Sequence, residues 1–167
     1  MKLHNFNKKE LVAVYEKMVM SRFLDNKQLI MLKQGKSFFH IGASGHEAAQ
    51  MAAALCFDSK KDYAYPYYRD QAFCLGWGIT ARDVLLCFLH KDEDPNSGGR
   101  QMPQHWGHKE LNIVSQSSCT GTQYLQAVGT AFGLDRDGLN GVSYVSSGEG
   151  TTSEGDFHEA LNWATKD

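Results

Sequence analysis

The residues best placed to do chemistry lie near the end of the chain, at Ser146-Ser147-Gly148-Glu149-Gly150-Thr151-Thr152-Ser153-Glu154-Gly155-Asp156-Phe157-His158. A strand that runs through a glycine-rich loop into a helix can cradle a phosphate, because backbone approaches the anion closely and the helix start offers free N–H groups. Two familiar versions of that loop fail. The dinucleotide fingerprint needs a third glycine where Ser153 stands, and the nucleotide-phosphate loop needs a lysine where Asp156 follows Gly155. What lies between the glycines is a carboxylate, Glu149. A carboxylate beside a phosphate makes chemical sense when a divalent cation sits between them, since Mg²⁺ binds through one or two carboxylates plus phosphate oxygens. The same residues also read as a glycine turn with a solvated Glu149, followed by Glu154 and Asp156 complementing a helix dipole. The loop alone leaves both readings open.

Other candidates carry the same ambiguity. Tyr68 belongs to an aromatic cluster that reads equally as core, and Arg69 beside Asp70 reads equally as a surface pair. Ser117-Ser118 is an ordinary polar loop by composition. His105-x-x-His108 has no third ligand nearby and falls short of a zinc site. His40, His46 and His158 read as structural or solvated, and His90 as closing a helix against its dipole. Cys56, Cys74, Cys87 and Cys119 form no CxxC pair. Cys56 and Cys87 lie in apolar runs, where a thiol acts as a small hydrophobe.

The elements that would position these residues start with a long helix. Asn7 and Glu10 make a capping box, and apolar residues recur at helical spacing to Gly35, which predicts a helix over residues 8–34. Its length suggests packing against a second body. Ser44 and Glu47 predict another capping box, opening an alanine-rich helix over 47–55. Residues 62–70 read as extended chain and loop. Helices over 71–75 and 81–90 follow, the second capped by Thr80. Residues 92–112 hold two of the three prolines and no periodicity, so a structureless, mobile and functional loop is expected. A helix over 122–134, a strand over 142–146 and a last helix over 153–165 complete the pattern. One good strand followed by a helix wants parallel neighbours. The expected class is α/β with a parallel sheet flanked by helices, and the chain reads as the front portion of such a domain.

Composition narrows the setting. The 167 residues carry 17 basic and 19 acidic side chains, a net charge of −2, which argues against a nucleic-acid partner. No apolar run is long enough to span a membrane and the first residues form no secretory signal, so a cytoplasmic protein is expected. Unpaired cysteines fit a reducing compartment.

Taken together, Gly148-Glu149-Gly150-x-x-Ser153-Glu154-Gly155-Asp156-Phe157-His158-Glu159-Ala160-Leu161-Asn162 closely resembles the thiamine-diphosphate motif of α subunits of 2-oxo acid dehydrogenase E1 components. Three further segments agree in the family's order: Tyr68-Arg69-Asp70, Gly99-Arg100-Gln101-Met102-Pro103-x-His105-x-Gly107, and Ser117-Ser118-Cys119-Thr120-Gly121-Thr122-Gln123 with Gln126-Ala127-Val128-Gly129. The Gly-Arg-Gln-Met-Pro loop and the glutamate between the glycines resemble branched-chain-type members more than pyruvate-type ones.

The resemblance implies a thiamine-diphosphate-binding fold, incomplete in this chain, with residues 1–167 as the N-terminal part of an E1 α domain. It implies that Glu149 is a Mg²⁺ ligand, with Gly148, Gly150 and Thr151 around the diphosphate through backbone. Tyr68 and Arg69 would clamp that diphosphate, a task for which an arginine fork suits better than a lysine. Ser118 and Thr120 would lie beside the cofactor. Ser117, the Cys119 carbonyl, Thr122 and Gln123 match a loop that holds a structural K⁺ in branched-chain members, although the family pattern there is commonly Ser-Ser-Pro-Leu-Ala-Thr-Gln. The remaining cation ligands and the α-subunit active-site histidine of the family would lie beyond Asp167, so no catalytic residue is assigned within the chain. The chain alone is expected to be inactive. The implied activity is oxidative decarboxylation of a 2-oxo acid, branched-chain rather than pyruvate, with transfer of the acyl group to a lipoyl group. Implied partners are a β subunit or fused β half, a lipoyl-bearing E2 and the 2-oxo acid, in a homo-oligomer or α2β2 assembly. Alternative readings are another thiamine-diphosphate enzyme (transketolase-like, or an acetoin dehydrogenase) and a non-catalytic Mg²⁺-phosphate module.

Overall fold

Asn7 starts the leading helix as its spacing predicts. Its side chain accepts the Glu10 N–H at 3.0 Å, and the Glu10 carboxylate accepts the Asn7 N–H at 2.8 Å. The computed structural model describes residues 6–115 and 117–166. The first helix, α1 (Lys8–Lys33), runs 26 residues, about 39 Å at 1.5 Å per residue. One side of it packs inward through Ser21, Leu24, Asp25 and Gln28, and the opposite side leaves Val12, Tyr15, Phe23 and Ile30 exposed.

The helices α2 (Glu47–Ala54), α3 (Gln71–Trp77) and α4 (Ala81–Phe88) pack with α1 around one core. Helix α3 is its centre, with Phe73 and Cys74 at zero exposure and Trp77 stacked toward Phe57. Gly76 lets α3 lie directly on α2: a Cβ there would sit 2.6 Å from the Ala54 Cβ. Thr80 caps α4 as expected, and with Asp83 it forms a full capping box. The box expected at Ser44 and Glu47 does not form. Ser44 Oγ instead donates to Asp25 of α1, and Glu47 pairs with Arg22 at 2.7 Å. A charged partner on a neighbouring helix outcompetes the local cap.

The extended stretch after residue 62 contains β1 (Tyr63–Tyr65), which pairs in parallel with β2 (Ser143–Val145), Tyr63 opposite Ser143. On its other edge Ala64 bridges in parallel to Ile113. The result is helix-rich around a small parallel sheet, compatible with the expected α/β class. Helix α5 (Thr122–Arg136) packs on β2 and on α6 (Gly155–Ala164), which begins two residues later than predicted because Glu149–Ser153 form a 3₁₀ turn.

Residues 92–112 are not structureless. The Asp94 carboxylate accepts from the Asn96, Ser97 and Gly99 N–H groups, and Asn96 Oδ1 accepts from Gly107 N–H at 3.1 Å. Gln104 and Trp106 are fully buried, and Lys109–Leu111 form a 3₁₀ turn. Side chain-to-backbone bonds do here what regular structure does elsewhere, so a segment without periodicity is ordered. One smaller expectation also changes. Cys56 is exposed, leaving Cys74 and Cys87 as the buried thiols, and burial pushes the Cys87 thiol up to about 12. His90 lies just past the end of α4 and stacks on Phe38 with ring centres 4.5 Å apart. No helix of the described residues is long and apolar enough to cross a membrane.

Candidate functional site

The two parallel strands end side by side, and each feeds a loop that carries candidate residues. Strand β1 continues into Pro66-Tyr67-Tyr68-Arg69-Asp70, and β2 into Ser146-Ser147-Gly148-Glu149. The crevice beyond the carboxyl ends of parallel strands is where such sheets take ligands. Asp70 locks the two loops together. Only 6% exposed, it accepts hydrogen bonds from Ser146 Oγ, from Tyr67 N–H at 3.1 Å and from Gln50 Nε2 at 3.1 Å. Burial lifts its carboxyl to about 6, against the bonds from Ser146 and Tyr67, which favour the charged form. Asp70 is therefore no surface partner of Arg69.

Between these loops lies a cleft of about 290 Å³ lined by Arg69, Gly148 and Glu149 together with His46, Gln50, Tyr67, Asp70 and Ser147. The Arg69 guanidinium lies over the Tyr68 ring, 5.4 Å from its centre, and donates from Nη1 to the Gly42 carbonyl at 2.8 Å. Among the described residues neither Arg69 nor Glu149 forms an ion pair. A guanidinium and a carboxylate thus face one cleft without neutralising each other. The first suits an anion such as a phosphate, the second a hard cation on that anion.

A second cleft of about 310 Å³ shares Arg69 and is lined by Tyr68, Ser118 and Thr120, with Phe39, His40, Ile41, Met102 and His105. Ser118 Oγ lies 2.6 Å from His105 Nε2, and His105 Nδ1 lies 3.2 Å from the Pro103 carbonyl. A carbonyl can only accept, so in the neutral ring Nδ1 carries the proton and Nε2 accepts from Ser118. Tyr67 and Tyr68 join through their hydroxyls, and burial above all raises Tyr67 to about 12.

The structure brings four of the expected cofactor residues, Tyr68, Arg69, Ser118 and Thr120, onto one cleft, and Gly148 and Glu149 onto the adjoining one. Gly150 and Thr151 line neither; the Thr151 N–H donates to the Gly148 carbonyl at 3.1 Å within the 3₁₀ turn, and its side chain is buried. Ser117, Cys119 and Thr122 do converge. Thr122 Oγ1 lies 2.9 Å from Ser117 Oγ and 3.2 Å from the Cys119 carbonyl, while Gln123 turns its amide nitrogen to the Ser146 carbonyl at 3.3 Å. Gly121 at φ 96° starts α5 and lets this turn approach Glu154; a Cβ there would lie 3.3 Å from the Glu154 Cβ.

Sequence reasoning missed Asp70, His105 and His40 as parts of the site. For Asp70 the hint was its place at the end of an aromatic, buried run. His105 bonds a residue 13 positions away and His40 one 15 positions away, and no local spacing encodes either.

The described residues thus form a helix-rich domain around a small parallel sheet, with an arginine shared by two adjoining clefts and a glutamate on one of them, at the ends of the strands. Residues 15–166 match the family model of the dehydrogenase E1 component, and the chain belongs to that family. It is 42% identical over 155 residues to the 2-oxoisovalerate dehydrogenase subunit alpha of Bacillus subtilis (strain 168), covering 93% of this chain and 47% of that one. It is 32% identical over 160 residues to the mitochondrial 2-oxoisovalerate dehydrogenase subunit alpha of Dictyostelium discoideum, covering 96% of this chain and 36% of the relative. Against a pyruvate dehydrogenase E1 component subunit alpha of Staphylococcus epidermidis (strain ATCC 12228 / FDA PCI 1200) the identity is 33% over 156 residues, covering 93% and 39%. The chain therefore spans half or less of the length of the curated relatives it matches.

Proposed function

We propose that this chain forms the N-terminal part of the thiamine-diphosphate-binding α portion of a 2-oxo acid dehydrogenase E1 component. The observation that carries the reading is the cleft on which Arg69, Gly148 and Glu149 meet without pairing. The donor set fits a Mg²⁺-diphosphate: one carboxylate for a cation that keeps phosphate oxygens and water, and one guanidinium for the phosphate charge. Tyr68, Ser118 and Thr120 then flank the rest of the cofactor in the adjoining cleft. Gly150 belongs to the same loop and would serve through backbone; Thr151 would do so only by releasing its N–H from the Gly148 carbonyl. Ser117, Cys119 and Thr122 supply three oxygens for a K⁺, a donor type suited to a hard cation, with Gln123 next to them.

When bound, thiamine diphosphate supplies the electron sink for loss of carbon dioxide from the 2-oxo acid. The chain's own residues hold and orient it. Arg69 and Glu149 fix its charged end, and the Ser118–His105 pair sets a hydroxyl of defined polarity beside it. Phe39, Ile41 and Met102 add apolar surface suited to a branched aliphatic side chain. Together with 42% identity to a 2-oxoisovalerate enzyme against 33% to a pyruvate enzyme, this favours 3-methyl-2-oxobutanoate over pyruvate. In this reading the α portion works with a β subunit or fused β half and passes the acyl group to a lipoyl-bearing E2. Identity of 42% to a bacterial subunit against 32% to a mitochondrial one favours a cytoplasmic setting.

The test is Glu149→Ala in the assembled enzyme, followed by titration calorimetry with thiamine diphosphate at saturating Mg²⁺. Loss of Mg²⁺-dependent binding is expected, since the hard cation loses its anionic ligand on this chain. Unchanged affinity would sink the assignment.

A further inference from the structure

Five consecutive residues, 40–44, form the wall beside Arg69, and each is anchored by a different bond. His40 Nε2 and the Ala43 N–H both meet Asp25 Oδ1, at 3.1 and 3.0 Å, and Ser44 Oγ donates to Asp25 Oδ2. The Ile41 N–H donates to Gln104 Oε1 at 2.9 Å, and the Gly42 carbonyl accepts from Arg69 Nη1 at 2.8 Å. Asp25 lies on the inward side of α1, 8% exposed. A carboxylate buried there is costly unless donors surround it, and among the described residues its hydrogen-bond partners all come from this one loop. The acid attracts Arg22 on its own helix, but its hydrogen bonds fix the path of 40–44, and with it the carbonyl that orients Arg69.

We propose that Asp25 is a positioning residue for Arg69, acting through the Gly42 carbonyl so that the guanidinium is held toward the cleft before ligand arrives. The proposal rests on the reading of Arg69 as a diphosphate ligand. An unanchored arginine samples many rotamers and loses that freedom on binding, so a carbonyl that already selects one orientation raises affinity without touching the ligand. Arg22 provides a graded contrast: it attracts Asp25 by charge and pairs with Glu47, which accepts from the Gly45 N–H, but it makes no hydrogen bond to residues 40–44 among the described residues.

The experiment titrates thiamine diphosphate into the cofactor-free assembled enzyme carrying Asp25→Asn, Ser44→Ala, Arg22→Ala, Arg69→Ala, and the double variants of Asp25→Asn and Ser44→Ala with Arg69→Ala. Asp25→Asn should raise the Kd about tenfold, and have no further effect once Arg69 is gone, the coupling that residues of one hydrogen-bond network show. Turnover at saturating cofactor should change less than about twofold, because only uniform binding is lost. Hydrogen exchange at the Ala43 amide should quicken in Asp25→Asn without ligand, a readout independent of activity. Ser44→Ala removes one of the three bonds to Asp25 and should show the same coupling at about two- to threefold, which keeps the proposal testable if Asp25→Asn does not fold. Arg22→Ala, which leaves every hydrogen bond of the 40–44 arc in place, should change the Kd less than Ser44→Ala does. Additive losses from Asp25→Asn, or from Ser44→Ala, and Arg69→Ala would overturn the positioning role while leaving Arg69 a ligand. An unchanged Kd in Arg69→Ala would overturn the ligand reading itself, and this proposal with it.

Discussion

The two sides of the candidate cleft are built differently. The Arg69 side rests on buried polar groups: Asp70 under the loop, Asp25 behind residues 40–44, and Gln104 bonded to Ile41. The Glu149 side is a single 3₁₀ turn, with Glu149 and Gly150 exposed and nothing within 4 Å of a Cβ placed on Gly150. The contrast teaches how a charged ligand can be received. In the proposed reading its anionic part would meet a wall already in place, whereas the carboxylate for its cation would sit on a turn with room to adjust. Buried polar networks that are largely bonded, here with the Gln104 amide nitrogen left unpartnered, stiffen their surroundings, and an exposed turn with few contacts does not.

That contrast breaks first at Asp70. Replacing it with alanine strands Ser146 Oγ, the Tyr67 N–H and Gln50 Nε2, and should cost about 3 kcal/mol of folding stability, read as a shift in the urea midpoint. A loss below about 0.5 kcal/mol, the size of an ordinary surface change, would mean that the Arg69 side is no stiffer than the other.

Arg69→Lys should lose about 1.5–3 kcal/mol of cofactor affinity, because the charge stays but the planar fork goes. Its effect on folding should be small, since the side chain is exposed. Calorimetry and thermal melts on the same sample separate the two.

The next effect is a signed pH dependence. The Asp70 carboxyl, raised by burial from 3.8 to about 6, keeps its proton in the folded state at pH values where the unfolded chain has released it. The folded state therefore binds the extra proton between those values. This group's contribution to stability falls as pH rises through that window and is most favourable below it. The stability difference between the parent and Asp70→Asn should shift toward the parent as pH drops from 7 to about 4. An opposite slope would show that the hydrogen bonds to the charged form dominate burial.

The smallest effect belongs to the other side. Glu149→Gln should change folding stability by less than about 0.5 kcal/mol, as exposed positions do, even though cofactor binding suffers. A large destabilisation would make the glutamate a structural member of its turn.

Much of this was legible in the chain. The caps at Asn7 and Thr80, the long first helix and the strand before Gly148 follow from local rules, because a cap or an amphipathic repeat needs only neighbours three or four residues away. The four ordered motifs placed Tyr68, Arg69, Ser118 and Glu149 as candidates, and the fold brings all four to two adjoining clefts. The capping box at Ser44 and the structureless reading of residues 92–112 missed partners that no regular spacing signals. Ser44 found Asp25 and Asp94 organised its own loop, which no periodicity announces.

The sequence by itself determined the helices, the glycine loop and the family, since these depend on residue types at short spacing. Only the tertiary structure decided that Asp70 is buried rather than paired with Arg69, that His105 accepts from Ser118, and that Asp25 stands behind Arg69. Each of those depends on which groups are shut away from water together. A buried carboxylate or imidazole must take whatever donor or acceptor the packing leaves beside it, and that choice is made across tens of residues, not within a turn.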